Sequence, residues 1–264
     1  MPLINAIRYV IRPLAVAVAI LTLAACVTVP RTEIVMAASP TDCVVLLHGV
    51  NRSWRAMRPM AEALQDDGYT TVNVDYPSRA GTVDKIAPMA VDNGLSKCRE
   101  AGAQRIHFVT HSIGGILLRY AHEERPIPEL GRVVMLAPPN QGSEIVDKTR
   151  YVPGASLVGG KALMQLGTDG DSLPARLGPV DFEVGIVAGT GTMNPWMSAM
   201  LPNPDDGKVS VARTRVDGMT DFLVVDDNHH YIVEDELVIR NTRAFLKTGS
   251  FLSEDRDANF GAIY

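Results

Sequence analysis

A serine hydroxyl attacks a carbonyl at neutral pH only when a nearby base takes its proton, and a histidine serves best when a carboxylate fixes its tautomer. This chain carries those three groups in separate stretches. Ser112 lies in Phe108-Val109-Thr110-His111-Ser112-Ile113-Gly114-Gly115, where an apolar run stops at a serine and two glycines open a helical pattern. Such a strand-to-helix elbow lifts the hydroxyl clear of its neighbours and turns the next backbone N–H, that of Ile113, toward the same space. Gly114 suits a point where the helix crosses so close to the sheet that a Cβ would not fit. Thr110 stands where the G-x-S-x-G pattern has its first glycine, so four of five positions match.

The partners lie on either side. Upstream, Asp42-Cys43-Val44-Val45-Leu46-Leu47-His48-Gly49-Val50 reads as a short buried strand ending in His-Gly. Gly49 lets the loop fold over the sheet edge, so that the N–H of Val50 joins that of Ile113 as a second donor to an oxyanion. Each such donor lowers a barrier by a few kcal/mol. His48 is expected to order this loop and border the substrate. Downstream, Asp206 in Asp205-Asp206-Gly207-Lys208-Val209 offers an acid on a turn, and His229 in Asn228-His229-His230-Tyr231 offers a base. Asp205 and His230 are their respective rivals.

These segments resemble the bacterial α/β-hydrolases of the serine lipase and esterase group. CVVLLHG, VNVDYPS, IHFVTHSIGG, VVMLAPPNQGSE, DDGKVSV and NHHYIV carry the resemblance, which runs from about Cys43 to Phe251. It implies an α/β fold, with a mostly parallel sheet of about six strands and helices on both faces. It also implies a nucleophile at Ser112, an acid at Asp206 on the D-G-x-V turn, and a base at His229 in an H-x-[FY] setting. The implied reaction is cleavage of carboxylic esters through an acyl-enzyme, with no cofactor. Thioester or amide hydrolysis and acyl transfer share the apparatus, and a binding protein that kept the fold without turnover is the rival of another class.

The elements that must position these groups alternate along the chain. Strands are expected at 43–47, 70–74, 105–110, 132–137, 183–188 and 221–226, and helices at 54–67, 82–101, 113–124 and 232–247. Alternation of this kind predicts a parallel sheet covered on both faces. Pro88 predicts a first turn or a kink within 82–101. Between 138 and 183 a Gly- and Pro-rich excursion leaves the sheet at its catalytic edge, a position suited to covering a site. Trp196, Met197 and Met200, just ahead of the acid, are candidates to line an acyl pocket.

With 264 residues, 46% of them apolar, the chain has material for one sizeable core. Its formal charge of −5 without a basic block argues against nucleic acid as a partner. Neither a spaced His/Cys cluster for zinc nor an oxygen-rich loop for calcium is present; Asp169 and Asp171 on one turn are too few ligands. Residues 1–25 read as a signal peptide: Arg8 and Arg12, then an uncharged run, then Leu23-Ala24-Ala25-Cys26, which resembles a bacterial lipobox. Lipidation at Cys26, with Val27 rather than Asp after it, predicts anchoring in the cell envelope, on the outer membrane facing the periplasm. Residues 26–42 would then be a linker, 43–250 the hydrolase-like domain and 251–264 a loose polar tail. Export puts Cys43 and Cys98 in an oxidising compartment, where the βαβ geometry lets them bridge at the pole away from the catalytic loops.

Overall fold

The computed structural model describes residues 32–37 and 41–255. The signal segment and Cys26 lie outside these residues. Seven strands form one sheet: β1 (Glu33–Val35), β2 (Asp42–Leu47), β3 (Thr70–Val74), β4 (Arg105–His111), β5 (Leu130–Leu136), β6 (Val184–Gly189) and β7 (Asp221–Val225). Their order is β1-β3-β2-β4-β5-β6-β7, and every pair is parallel except β1 with β3. The expected six strands are all present. β1 is the addition, and it sits in the segment read as linker. It pairs Ile34 with Val72 at the sheet edge, and its three residues are half-buried or exposed.

The inner strands are almost wholly buried and largely apolar because both faces are covered, although β3 keeps Thr70, Thr71 and Asn73 and β4 keeps His107 and Thr110. One layer of core gathers Val45, Leu47, Ile106, Phe108 and Met135 with α2 (Val83–Ala87), α3 (Asn93–Glu100) and α4 (Ile113–Glu124). The other gathers Val44, Leu46, Val109, Val134 and Val187 with α1 (Arg58–Asp66) and, after five further short helices, the C-terminal helix. Alternate residues of one strand thus serve opposite layers, as the pleat demands.

The expected helix at 54–67 begins with a 3₁₀ turn, Trp54–Met57, before α1. That at 82–101 is broken at Pro88, where a π-type turn (Pro88–Asp92) separates α2 from α3. Proline donates no backbone hydrogen bond, so the ladder has to be re-formed with a different spacing. The excursion is not a bare loop but carries α5 (Glu144–Thr149), α6 (Ala155–Met164) and α7 (Leu173–Arg176). Two single turns follow, α8 (Pro195–Ser198) and α9 (Val211–Thr214), then α10 (Glu236–Thr248). α10 starts four residues later than expected because Asp235 caps it, its carboxylate accepting from the N–H of Val238. Residues 251–255 are packed rather than loose. Phe251 stacks near Phe245, its N–H donates to Asp221, and Asp255 accepts from Arg240 and Asn241.

Cys43 at the start of β2 and Cys98 near the end of α3 form a disulfide with Cα atoms 5.8 Å apart. It closes a separation of 55 residues at the pole where strands begin. Constraining the unfolded chain over such a loop contributes about 4 kcal/mol in the chain-entropy picture.

Candidate active site

β4 ends at His111 and α4 starts at Ile113, so the whole reversal falls on Ser112. Its backbone takes φ 54° and ψ −124°, a left-handed setting that costs a residue with a Cβ and persists only where the surroundings impose it. Close packing of α4 against β2 is one such imposition. A Cβ on Gly114 would lie 2.9 Å from the carbonyl oxygen of Leu47. Gly115 faces Thr110 and Met135 instead, so the threonine in the elbow pattern is accommodated beside a residue without a side chain.

Ser112 Oγ lies 3.0 Å from His229 Nε2, and His229 Nδ1 lies 2.7 Å from Asp206 Oδ2. With Nδ1–H donating to the carboxylate, Nε2 is left as the acceptor for the serine hydroxyl. All three residues are buried. Asp206 is held by its own turn: Oδ1 accepts from the N–H groups of Lys208 and Val209 at 2.9 and 2.8 Å. The two loops are also tied through the backbone, since His229 N–H donates to Asp206 C=O. Gly189, at the end of β6, permits this approach; a Cβ there would come within 2.4 Å of the Asp227 carbonyl oxygen.

The rivals have other engagements. Asp205 accepts from Ser198 Oγ–H at 2.7 Å and from Gly207 N–H at 2.8 Å, which closes the turn beneath Asp206. His230 faces the cavity mouth with its ring 6.3 Å from that of His229.

Val50 lines the same cavity as Ser112, and Ile113 is the first residue of α4. Among the described residues, neither N–H has a partner within the protein, as expected of donors kept for a ligand. His48 is fully buried behind this loop and does not line the cavity. Its ring stacks on Tyr76 at 4.1 Å, Nδ1–H donates to Gly49 C=O, and Nε2 accepts from Tyr76 N–H. The Tyr76 hydroxyl donates to the His48 carbonyl. His48 therefore braces the loop and is too deep to touch a substrate. Burial pushes its pKa down, in keeping with a neutral ring.

His111 plays a part that the sequence did not suggest. Its Nε2–H donates to the carbonyl oxygen of His229 at 2.9 Å, pinning the histidine loop from beneath. Its Nδ1 is buried without a partner, and burial drives the ring well below the ordinary histidine pKa, with His229 adding to the effect. Nor could sequence reveal Arg119. Buried in α4, it donates to the carbonyl and side-chain oxygens of Asn140, whose amide in turn donates to Thr214 C=O. This fixes the root of the excursion. Both contacts join residues far apart in the chain, which no local pattern encodes.

A cavity of about 320 Å³ opens over Ser112. α5 and α6 supply an apolar wall that includes Ile145, Val146, Val158 and Leu163. Of the three candidates in the 196–202 loop, Met197 lines the cavity. Trp196 does not; α8 turns it outward and leaves it 86% exposed. Met200 is also outside, its carbonyl accepting from Lys148 Nζ.

The family model described as the alpha/beta hydrolase family matches residues 44–248, which spans every element from β2 to α10. The chain belongs to the alpha/beta hydrolase family. Among solved members of the fold, the mature lipase BlEst2 of Bacillus licheniformis superposes with a TM-score of 0.66 at 18% identity, covering 83% of this chain and 98% of that one. A phospholipase from Legionella pneumophila, PlaB, gives 0.60 at 17% identity over 84% of this chain and 63% of its own. An esterase of Pyrococcus furiosus gives 0.58 at 16% over 83% and 90%. Identities this low speak for the fold. No curated protein matches the sequence.

Proposed function

We propose that this alpha/beta hydrolase cleaves carboxylic esters through an acyl-enzyme. Ser112 Oγ attacks the carbonyl carbon while His229 Nε2 takes its proton, and the tetrahedral oxyanion is held by the N–H groups of Val50 and Ile113. Asp206 keeps the imidazole in the tautomer that presents Nε2 and stabilises the imidazolium that forms. Collapse expels the alcohol, which leaves with the proton from His229. Water, deprotonated by the same nitrogen, then releases the acid and restores Ser112.

The observation that carries this reading is the unbroken line from Ser112 to His229 to Asp206, with hydrogen bonds of 3.0 and 2.7 Å at a strained elbow. The apolar wall from α5 and α6 supports an acyl group as the moiety bound. Lipases and esterases among proteins of similar fold lean the same way. On the N-terminal pattern, we propose that Cys26 is lipidated and tethers the domain in the cell envelope. The Cys43–Cys98 disulfide favours the oxidising side of a membrane.

A series of p-nitrophenyl esters of rising chain length on the purified protein, with Ser112→Ala as control, tests the reaction. Hydrolysis by the natural chain and none by the variant supports it. Equal rates in both would refute it.

A further inference from the structure

The cavity over Ser112 has an apolar wall, yet two cations face it and, among the described residues, no acidic side chain does. Arg52, in the loop after Val50, and Lys208, on the acid turn, both line it, as does His230. Arg52 Nη2 donates to the carbonyl of His230 at 2.9 Å, while its buried Nε has no partner. Lys208 Nζ is half-buried with the sulfur of Met197 at 3.1 Å, a weak acceptor for an ammonium. Among the described residues, neither cation forms an ion pair. Asp206 is the carboxylate nearest in effect to Lys208, and its oxygens are engaged by His229 and by backbone N–H groups.

Two buried or half-buried cations without counter-charges are costly unless something negative completes them. Both stand on braced segments. The Lys208 carbonyl accepts from Ser143 Oγ–H at 2.7 Å, and Arg52 is tethered to the histidine loop. His230 is held toward its neutral form by burial first, then by Arg52, by His229 and by Lys208. Its imidazole therefore adds no further positive charge.

We propose that Arg52 and Lys208 form an anion clamp, so that the preferred substrate is an acyl ester bearing a phosphate or carboxylate beside the scissile bond. The apolar wall takes the acyl chain and the clamp takes the charged end. The clamp rests on the ester-hydrolase reading for its substrate, but not for its affinity.

The test compares short, soluble pairs: octanoylglycerol 3-phosphate against octanoylglycerol, and O-octanoyl glycolate against 2-hydroxyethyl octanoate. The expected kcat/KM favours the anionic member at least tenfold, and added salt erodes the preference. In Arg52→Gln with Lys208→Gln the ratio falls at least fivefold. A preference confined to the phosphate pair or to the glycolate pair identifies which oxyanion the clamp serves. No preference, or a loss shared equally by charged and neutral members, overturns the clamp. A second readout needs no turnover: calorimetric binding of octyl phosphate and octanol to Ser112→Ala protein. The phosphate binds more tightly with the two cations present and no more tightly once both are glutamine. If binding discriminates but no ester is turned over, the clamp stands and the hydrolytic reading falls; equal binding of the two probes removes the clamp whatever the activity.

Discussion

The two poles of the sheet are built to opposite specifications. Where the strands begin, Cys43 and Cys98 are cross-linked among fully buried side chains. Where they end, Ser112 holds a strained backbone, two N–H groups find no partner and two cations no counter-ion among the described residues, and Tyr151, Leu157, Val158 and Trp196 are largely exposed. In parallel sheets ligands meet the carboxyl ends of strands, because loops there can be shaped without disturbing the ladder. The contrast suggests that stability is concentrated at one end so that the other can hold arrangements which are unfavourable in themselves. Substitutions at the two poles should therefore separate activity from stability.

The widest separation is expected at Ser112. Ser112→Ala should lower kcat by a factor on the order of 10⁵ or more, while the melting temperature stays within a few degrees of the natural chain. A variant that melts much earlier would mean that the hydroxyl is structural. Asp206→Asn comes next, with a kcat loss on the order of 10⁴, since an amide stabilises the wrong tautomer of His229. Steady-state kinetics with unchanged circular dichroism would establish this; a loss below tenfold would show that Asp206 does not orient the base.

At the other pole the effect reverses. Cys43→Ala with Cys98→Ala should cost about 4 kcal/mol of stability, a fall in melting temperature of roughly 10 °C for a domain of this size. Rates at 25 °C should be unchanged. A kinetic defect in the folded double variant would mean that the poles are coupled.

The smallest effect is a pH slope. Burial lowers the folded pKa of His111, His48 and His107, so each stays neutral in the native state and gains a proton more readily when unfolded. Their contribution is complete above the ordinary histidine pKa of 6.5 and is lost as pH falls below it. Each such ring steepens the loss by up to about 1.4 kcal/mol per pH unit. His111→Gln, which keeps a donor for the His229 carbonyl, should flatten denaturant-derived stability between pH 6.5 and 5. An unaltered slope would place the titration elsewhere.

How legible these features were depends on how far apart their causes lie in the chain. The elbow at Ser112 and the turn at Gly207 are local, written in residues that touch their sequence neighbours, and they were readable. So were the five inner strands, whose two-sided burial demands largely apolar runs, and the edge strand β7, whose Leu223 and Val225 pack into the core. β1 was hidden because an edge strand needs partners on one side only, and Ile34 owes its place to Val72. Trp196 misled because bulk and apolarity suggest a pocket lining, whereas the single turn Pro195–Ser198 sends the ring outward. His48 looked like a site residue because it adjoins the loop; its stacking on Tyr76 depends on a strand that is distant in sequence. Arg52 and Lys208 attracted no notice, since an isolated cation in a loop is usually solvated. Only the fold shows that both face one cavity with no acid in it.

The central claim is that His229, aimed by Asp206, makes the hydroxyl of Ser112 a nucleophile. A fluorophosphonate probe followed by peptide mass mapping tests it most directly, on the natural chain beside Ser112→Ala and His229→Ala. The account predicts one adduct, on Ser112, absent from the first variant and slowed at least a thousandfold in the second. Labelling at another residue, or equal labelling of Ser112 without the imidazole, would contradict it.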